Sequence, residues 1–177
     1  MLRTLVVFAV VALVSNCAAA VEIGANGFRV RHEVVIAASP AKVYDALTGH
    51  VGGWWNAQHT YSGDSRNLTI DPRPGGCFCE RLANGGVEHM RVVQARPNEL
   101  LRMTGGLGPL QASGVAGAMS WRLSPALGTT KLELTYSVGG YIPDGFQGIA
   151  PAVESMLGEQ VDRLKRYVET GAPEAAK

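Results

Sequence analysis

Residues 146–168 read FQGIAPAVESMLGEQVDRLKRYV, and the spacing of their apolar side chains decides the fold. Phe146, Ile149, Val153, Leu157, Val161, Leu164 and Val168 recur at steps of three and four. Glu159, Asp162, Arg163, Lys165 and Arg166 lie opposite, which is the pattern of one long amphipathic helix. Glu159 with Arg163 and Asp162 with Arg166 are four residues apart and can pair along that helix. Pro151 fits either the first helical turn or a kink after a preliminary turn. An apolar stripe of this length needs a broad apolar surface to lie on.

The upstream chain supplies that surface as strands. From Leu68 onward the period changes to two, over residues 68–71, 77–82, 87–95, 99–104, 116–123 and 131–138. Their separators are short and rich in Gly, Pro and Asn, as at Asn84-Gly85-Gly86 and Pro97-Asn98, so neighbouring strands are antiparallel. In the last strand Leu132, Leu134, Tyr136 and Val138 share one face and Lys131, Glu133, Thr135 and Ser137 the other, which leaves one face wet and one to be covered. An earlier strand, Phe28 to Ala37, runs into Ser39-Pro40, a cap followed by a residue suited to the first helical turn. That short helix, about ten residues, is predicted to stop near Gly49, before Gly52-Gly53 and the pair Trp54-Trp55. The predicted fold class is α+β: a curved antiparallel sheet wrapped around a long C-terminal helix, with a hollow between them.

The first twenty residues read as an export signal. Arg3 supplies the positive start, Leu5 to Val14 an apolar core and Ala18-Ala19-Ala20 a cleavage site. The apolar run is about ten residues, short of the ~20 that span a membrane. Domain boundaries are then a signal peptide over 1–20, one domain over 21–170 and a tail over 171–177. The expected location is periplasmic or secreted, with lipidation of Cys17 as a minor alternative. Membrane association is expected only transiently, or through an uncleaved or lipidated N-terminus. Of 16 basic and 15 acidic residues, loss of Arg3 leaves the two in balance, so nucleic acid is excluded as a partner.

The succession of strand, Ser39-Pro40-Ala41-Lys42-Val43-Tyr44-Asp45-Ala46-Leu47, Trp54-Trp55, Asp71-Pro72-Arg73-Pro74-Gly75-Gly76, Arg96-Pro97-Asn98-Glu99-Leu100-Leu101 and closing helix resembles the SRPBCC (START-like) superfamily. Within it the pattern is similar to the heat-shock ATPase activator-like or polyketide cyclase-like branch. The resemblance implies a helix-grip fold with a deep, mostly apolar cavity for lipids, sterols, polyketides or plant hormones. A heat-shock ATPase partner conflicts with the export signal, since that ATPase works in the cytosol.

Candidate ligand-binding residues are Trp54, Trp55, Tyr61, Met103, Met119, Trp121 and Tyr136. A consecutive tryptophan pair suits the mouth of a pocket, whereas Trp121, Met119 and Tyr136 fit core packing as well as a cavity wall. Gly105 to Leu110 joins two strands and reads as a loop over the cavity, with Leu107 and Leu110 turned inward. A proton-transfer site would pair Glu80 or Asp64 with His59 or His89, though the faces of the 87–95 strand are ambiguous and surface histidines are the preferred reading. Cys77 and Cys79 read first as buried thiols, second as a bridge at the limit of disulfide reach, and last as metal ligands with His59 or His89. No cofactor and no metal site is expected, because the spacing fits no metal motif. The expectation is an exported protein that holds a small hydrophobic molecule without catalysis. The alternative is a cyclase or dehydratase working through His59, Glu80 or His89.

Overall fold

The computed structural model describes residues 20–175. The expected export signal up to residue 19, with Cys17, and the last two residues of the predicted tail lie outside them. The described residues form eight strands, seven of them at the predicted segments: β1 (Ala20–Gly24), β2 (Gly27–Ile36), β3 (Leu68–Ile70), β4 (Cys77–Leu82), β5 (Gly85–Arg96), β6 (Leu100–Thr104), β7 (Gly114–Ala126) and β8 (Thr129–Tyr141). They make one antiparallel sheet in the order β1-β2-β8-β7-β6-β5-β4-β3. The fold is α+β, a helix-grip arrangement of curved sheet and long closing helix. β1, an edge strand, is the element the sequence did not signal.

Two short helices carry the chain from β2 across to the far edge at β3. α1 (Pro40–Gly49) begins as its sequence requires, with Ser39 Oγ accepting the Lys42 N–H at 3.4 Å and Pro40 in the first turn. α2 (Val51–Trp54) follows at once. The closing helix α3 (Ile149–Thr170) contains Pro151 within its first turn, follows a turn closed by the Ala150 N–H on the Phe146 carbonyl at 3.0 Å, and ends at Gly171 in the left-handed region. It packs over β1 and β2 and against α1 and α2. Its apolar stripe, with Val153, Leu157, Val161, Leu164 and Val168 buried, shares one hydrophobic core with Ile36, Leu132, Leu134 and Trp121 of the sheet.

The charged face of α3 is spent differently from the expected four-residue pairs. Arg163 donates Nε to the Trp54 carbonyl at 2.7 Å and pairs with Glu174 at 2.9 Å, while Arg166 donates Nε to the Pro173 carbonyl at 2.7 Å. Glu159 is engaged by Asn56 and His59. The helix therefore fixes the segment after α2 and the chain just beyond its own end, while Lys165 and Glu169, four residues apart, pair along it at 2.8 Å.

β5 carries the irregularity that matters most. Phe78 pairs with Met90 and Cys79 with Glu88, so His89 is the extra residue of a bulge. A bulge resets the inward–outward alternation, and His89 and Met90 are consequently both buried. On β4, Cys77 and Cys79 are joined by a disulfide with Cα atoms 5.4 Å apart. The reading of two free thiols is thereby corrected: at 5.4 Å the two Cα atoms stand closer than in a regular strand and well inside disulfide reach.

Candidate functional site

A cavity of about 360 Å³ lies between the segment after α2, the inner side of β4 and β5, the loop after β6 and the first turns of α3. Trp55, Phe78, Leu107, Pro109, Ile149, Val153 and Met156 form its apolar wall, and Gln58, His59, Thr60, Tyr61 and His89 its polar part. Its size falls at the small end of ligand pockets, which suits a compact guest. A second crevice, between β2 and α3 at His32 and Glu154, is polar and open.

The consecutive tryptophans separate because α2 ends between them. Trp55 is the C-cap, with extended backbone. Trp54 goes into the core, its Nε1 donating to the Ala46 carbonyl at 2.9 Å and its ring edge-on to Trp121. Trp55 turns to the cavity, its Nε1 donating to the His59 carbonyl at 3.1 Å and its ring against Phe78. α3 holds this turn: the Asn56 N–H donates to Gln160 Oε1 at 2.8 Å, and the Asn56 amide and His59 meet the two Glu159 oxygens at 2.5 and 3.2 Å.

Deeper in, Glu80 accepts the Tyr61 and Ser62 backbone N–H groups at 3.1 and 2.5 Å and faces His89 Nε2 at 2.9 Å. Both side chains are buried, Glu80 at 2 % and His89 at 4 % exposure. Burial pushes the Glu80 carboxyl up, but the hydrogen bonds from Ser62, Tyr61 and His89 outweigh it and hold the group below the usual carboxylate range. Burial pushes His89 below the usual imidazole range, only partly opposed by Glu80. An ionised carboxylate thus accepts from a neutral ring, which places the imidazole proton on Nε2. Tyr61 stacks on His89 with ring centroids 5.9 Å apart and itself stays half exposed at the mouth. Among the described residues, His89 Nδ1 and Tyr44 Oη are the buried side-chain atoms without a hydrogen-bond partner.

The roof is the loop after β6. Leu107 reaches the cavity and Leu110 is buried beside it. Tyr136 fixes this loop, its hydroxyl accepting the Leu107 N–H and donating to the Gly105 carbonyl, each at 3.0 Å. Gly117 makes that possible, since a Cβ there would lie 2.5 Å from the Tyr136 ring and 2.9 Å from the Gly105 oxygen. Burial pushes the Tyr136 hydroxyl up to about 12, so it remains a neutral donor.

The match to known proteins follows this architecture. Residues 27–169, from β2 to the end of α3, fit the family described as polyketide cyclase/dehydrase and lipid transport. The chain belongs to that family. Its membership places it in the SRPBCC superfamily, as the ordered motifs implied. No curated protein matches the chain in sequence. Among solved structures, it is similar to a conserved protein of unknown function from Enterococcus faecalis, 19% identical, over 90% of this chain and 82% of that one, at a TM-score of 0.64. It is similar also to CalU16 from Micromonospora echinospora, 14% identical over 87% of each chain at a TM-score of 0.56. The Aha1 dimer from Colwellia psychrerythraea is 22% identical over 81% of this chain and 97% of that one, at 0.54. At these identities the likenesses show the fold alone.

In this member of the polyketide cyclase/dehydrase and lipid transport family, the predicted residues divide between wall and core. Trp55, Tyr61, His59 and His89 line the cavity, with Glu80 behind His89. Trp54, Met103, Met119, Trp121 and Tyr136 are buried in the core and do not line it. Asp64 is turned to Arg66 instead of a histidine, and His59 to Glu159. Phe78, Gln58, Thr60 and Met156 complete the wall without having been singled out by sequence. Ile149 and Val153 belonged to the apolar stripe of α3, where a cavity wall and a packed core carry the same signal. Among the described residues, no group of three or more His, Cys, Asp or Glu side chains is placed to hold a metal ion.

Proposed function

We propose that this chain is an exported carrier that holds one small, largely apolar molecule in the cavity between α3 and the β4–β5 side of the sheet. The cavity itself carries this reading: about 360 Å³, walled mainly by Trp55, Phe78, Leu107, Val153 and Met156, in a family named for polyketide cyclisation and lipid transport. Apolar burial is the driving force for such a guest, and the few polar groups on the wall set its orientation. Export is supported by Arg3, the apolar run that follows it and Ala18-Ala19-Ala20. The Cys77–Cys79 bridge adds to it, because disulfides persist in oxidising compartments.

Calorimetric titration with methylnaphthalene tests the carrier reading, with Ala152→Trp as the control. Ala152 is exposed on α3 and lines the cavity, so the larger ring obstructs it with little effect on stability. Saturable one-site binding that Ala152→Trp abolishes is the expected result. Absence of binding, or binding indifferent to the substitution, contradicts the reading.

The buried Glu80–His89 pair favours a second reading, a cyclase or dehydratase in which His89 moves a proton. A neutral imidazole oriented by a carboxylate is a competent general base at neutral pH. Turnover of a ring-forming substrate that is lost in Glu80→Gln and His89→Asn, with binding retained, would establish it.

A further inference from the structure

We infer that the Cys77–Cys79 bridge is a site of reversible thiol–disulfide exchange, opened and reclosed by a dithiol, and that Phe78 carries its state to the cavity wall. The site lies on the outer side of β4 and does not depend on whether a guest is held.

The register puts the bridge on the wet face of the sheet. Phe78 and Glu80 point inward and are buried, while Cys77 and Cys79, which alternate with them, are half-buried. Their cross-strand partners are exposed: Arg91 opposite Cys77, and Glu88 and Thr69 on either side of Cys79. The bridge encloses one residue, so it ties no distant elements together and restricts little of the unfolded chain. A bridge that is open to solvent and staples nothing belongs to the reducible kind rather than the structural kind. Arg91 across from Cys77 favours a thiolate there, whereas the carboxylate across from Cys79, that of Glu88, is ion-paired to the same Arg91. Cys77 is therefore the better leaving group.

In the exchange, a thiolate of the dithiol attacks Cys79 Sγ, the bond between the two cysteines breaks, and Cys77 leaves as a thiolate that takes up a proton. The second thiol of the reductant then attacks its own partner sulfur in the mixed disulfide and expels Cys79. Two electrons and two protons pass to the chain, the dithiol becomes a disulfide, and the reverse sequence recloses the bridge. Phe78, the enclosed residue, lines the cavity with its ring centroid 5.3 Å from that of Trp55 and 5.0 Å from that of His89. The flanking Cα atoms stand 5.4 Å apart, about 1 Å less than two residues of a regular strand. Opening the bridge lets β4 extend at Phe78, and the ring shifts against Trp55.

The test titrates the native wild-type chain with mixtures of dithiothreitol and its oxidised form. Samples are quenched in acid and alkylated, and mass spectrometry of the peptide carrying Cys77 and Cys79 counts the thiols. The indole N–H resonance of Trp55, assigned with Trp55→Phe, is followed in parallel. Both thiols are expected to appear together without denaturant, at a rate within about tenfold of that in urea, and to disappear again in oxidised dithiothreitol. The Trp55 resonance should move between two positions as they do, while that of Trp121 stays. A chain carrying both Cys77→Ser and Cys79→Ser should hold Trp55 at the reduced position at every mixture. A bridge that yields only in urea, or thiols present before any reductant, overturns the exchange site. Thiols that form without moving Trp55 overturn its transmission through Phe78. Neither result bears on the carrier reading, which calorimetry tests with the bridge closed.

Discussion

His89 Nε2 and Glu80 Oε2 lie 2.9 Å apart on adjacent antiparallel strands, both side chains buried, and the same carboxylate holds the backbone of Tyr61 and Ser62. One acidic group thus orients the imidazole on the cavity wall and pins the segment that forms the cavity's rim. Structure and site are coupled through it.

Replacing that group with its neutral isostere separates charge from shape. Glu80→Gln keeps the volume but weakens three hydrogen bonds to a charged acceptor. The expected loss is about 1.5–3 kcal/mol, read from urea denaturation, with faster amide exchange at Tyr61 and Ser62. Unchanged stability would mean that the carboxylate does not hold the rim.

Acidification should weaken the fold in two stages. His89 is held below its ordinary value chiefly by burial, so its contribution is fully present above the unfolded value of about 6.5 and is lost as pH falls through the depressed folded value. Glu80, depressed because its hydrogen bonds outweigh burial, contributes fully above about 4.3 and loses that contribution on further acidification. The denaturation midpoint should be level near neutrality, decline below about pH 6.5 and fall more steeply below about pH 4. A midpoint that rises between neutrality and pH 5 would show His89 to be protonated in the folded chain.

Tyr136 governs the roof without touching the cavity. Tyr136→Phe removes the acceptor for the Leu107 N–H and the donor to the Gly105 carbonyl. A loss of about 1–3 kcal/mol is expected, since buried backbone groups are left unsatisfied. Hydrogen exchange should lose protection at Leu107 while β7 and β8 keep theirs. Uniform loss across the sheet would make the tyrosine a general core residue.

The Cys77–Cys79 bridge spans a sequence separation of only two, so it restricts little of the unfolded chain. Reduction should lower stability by less than about 2 kcal/mol. Thiol labelling of the denatured, unreduced chain should leave both cysteines unmodified. Two labelled thiols would contradict the bridge.

The fold was legible because its signals are periodic. The stripe from Phe146 to Val168 and the alternation in Leu132 to Val138 each specify an element and its buried face, and both appear in α3 and β8, except that Phe146 is buried in the turn before α3. The site was legible only in part. His89 could not be assigned to a face, because a bulge breaks the alternation on which such assignment depends. Trp121, Met119 and Tyr136 have the composition of a cavity wall but pack in the core, since apolar residues facing a hollow and facing each other are alike in sequence. Pairing Glu80 with His89 and His59 with Glu159 required the register of β4 and β5 and the position of α3, which are long-range facts. The edge strand β1 escaped notice because a short five-residue segment directly after the apolar N-terminal run carries little alternation.

The central claim is that a small, largely apolar molecule occupies the cavity beside His89. Native mass spectrometry of the protein purified from the cells that make it, followed by denaturing extraction, tests it most directly. The account predicts one bound molecule per chain in the wild type, largely apolar and soluble in organic solvent, and none in Ala152→Trp. A chain that carries no such molecule would contradict the carrier reading. Equal ligand content in wild type and Ala152→Trp would contradict the assigned cavity.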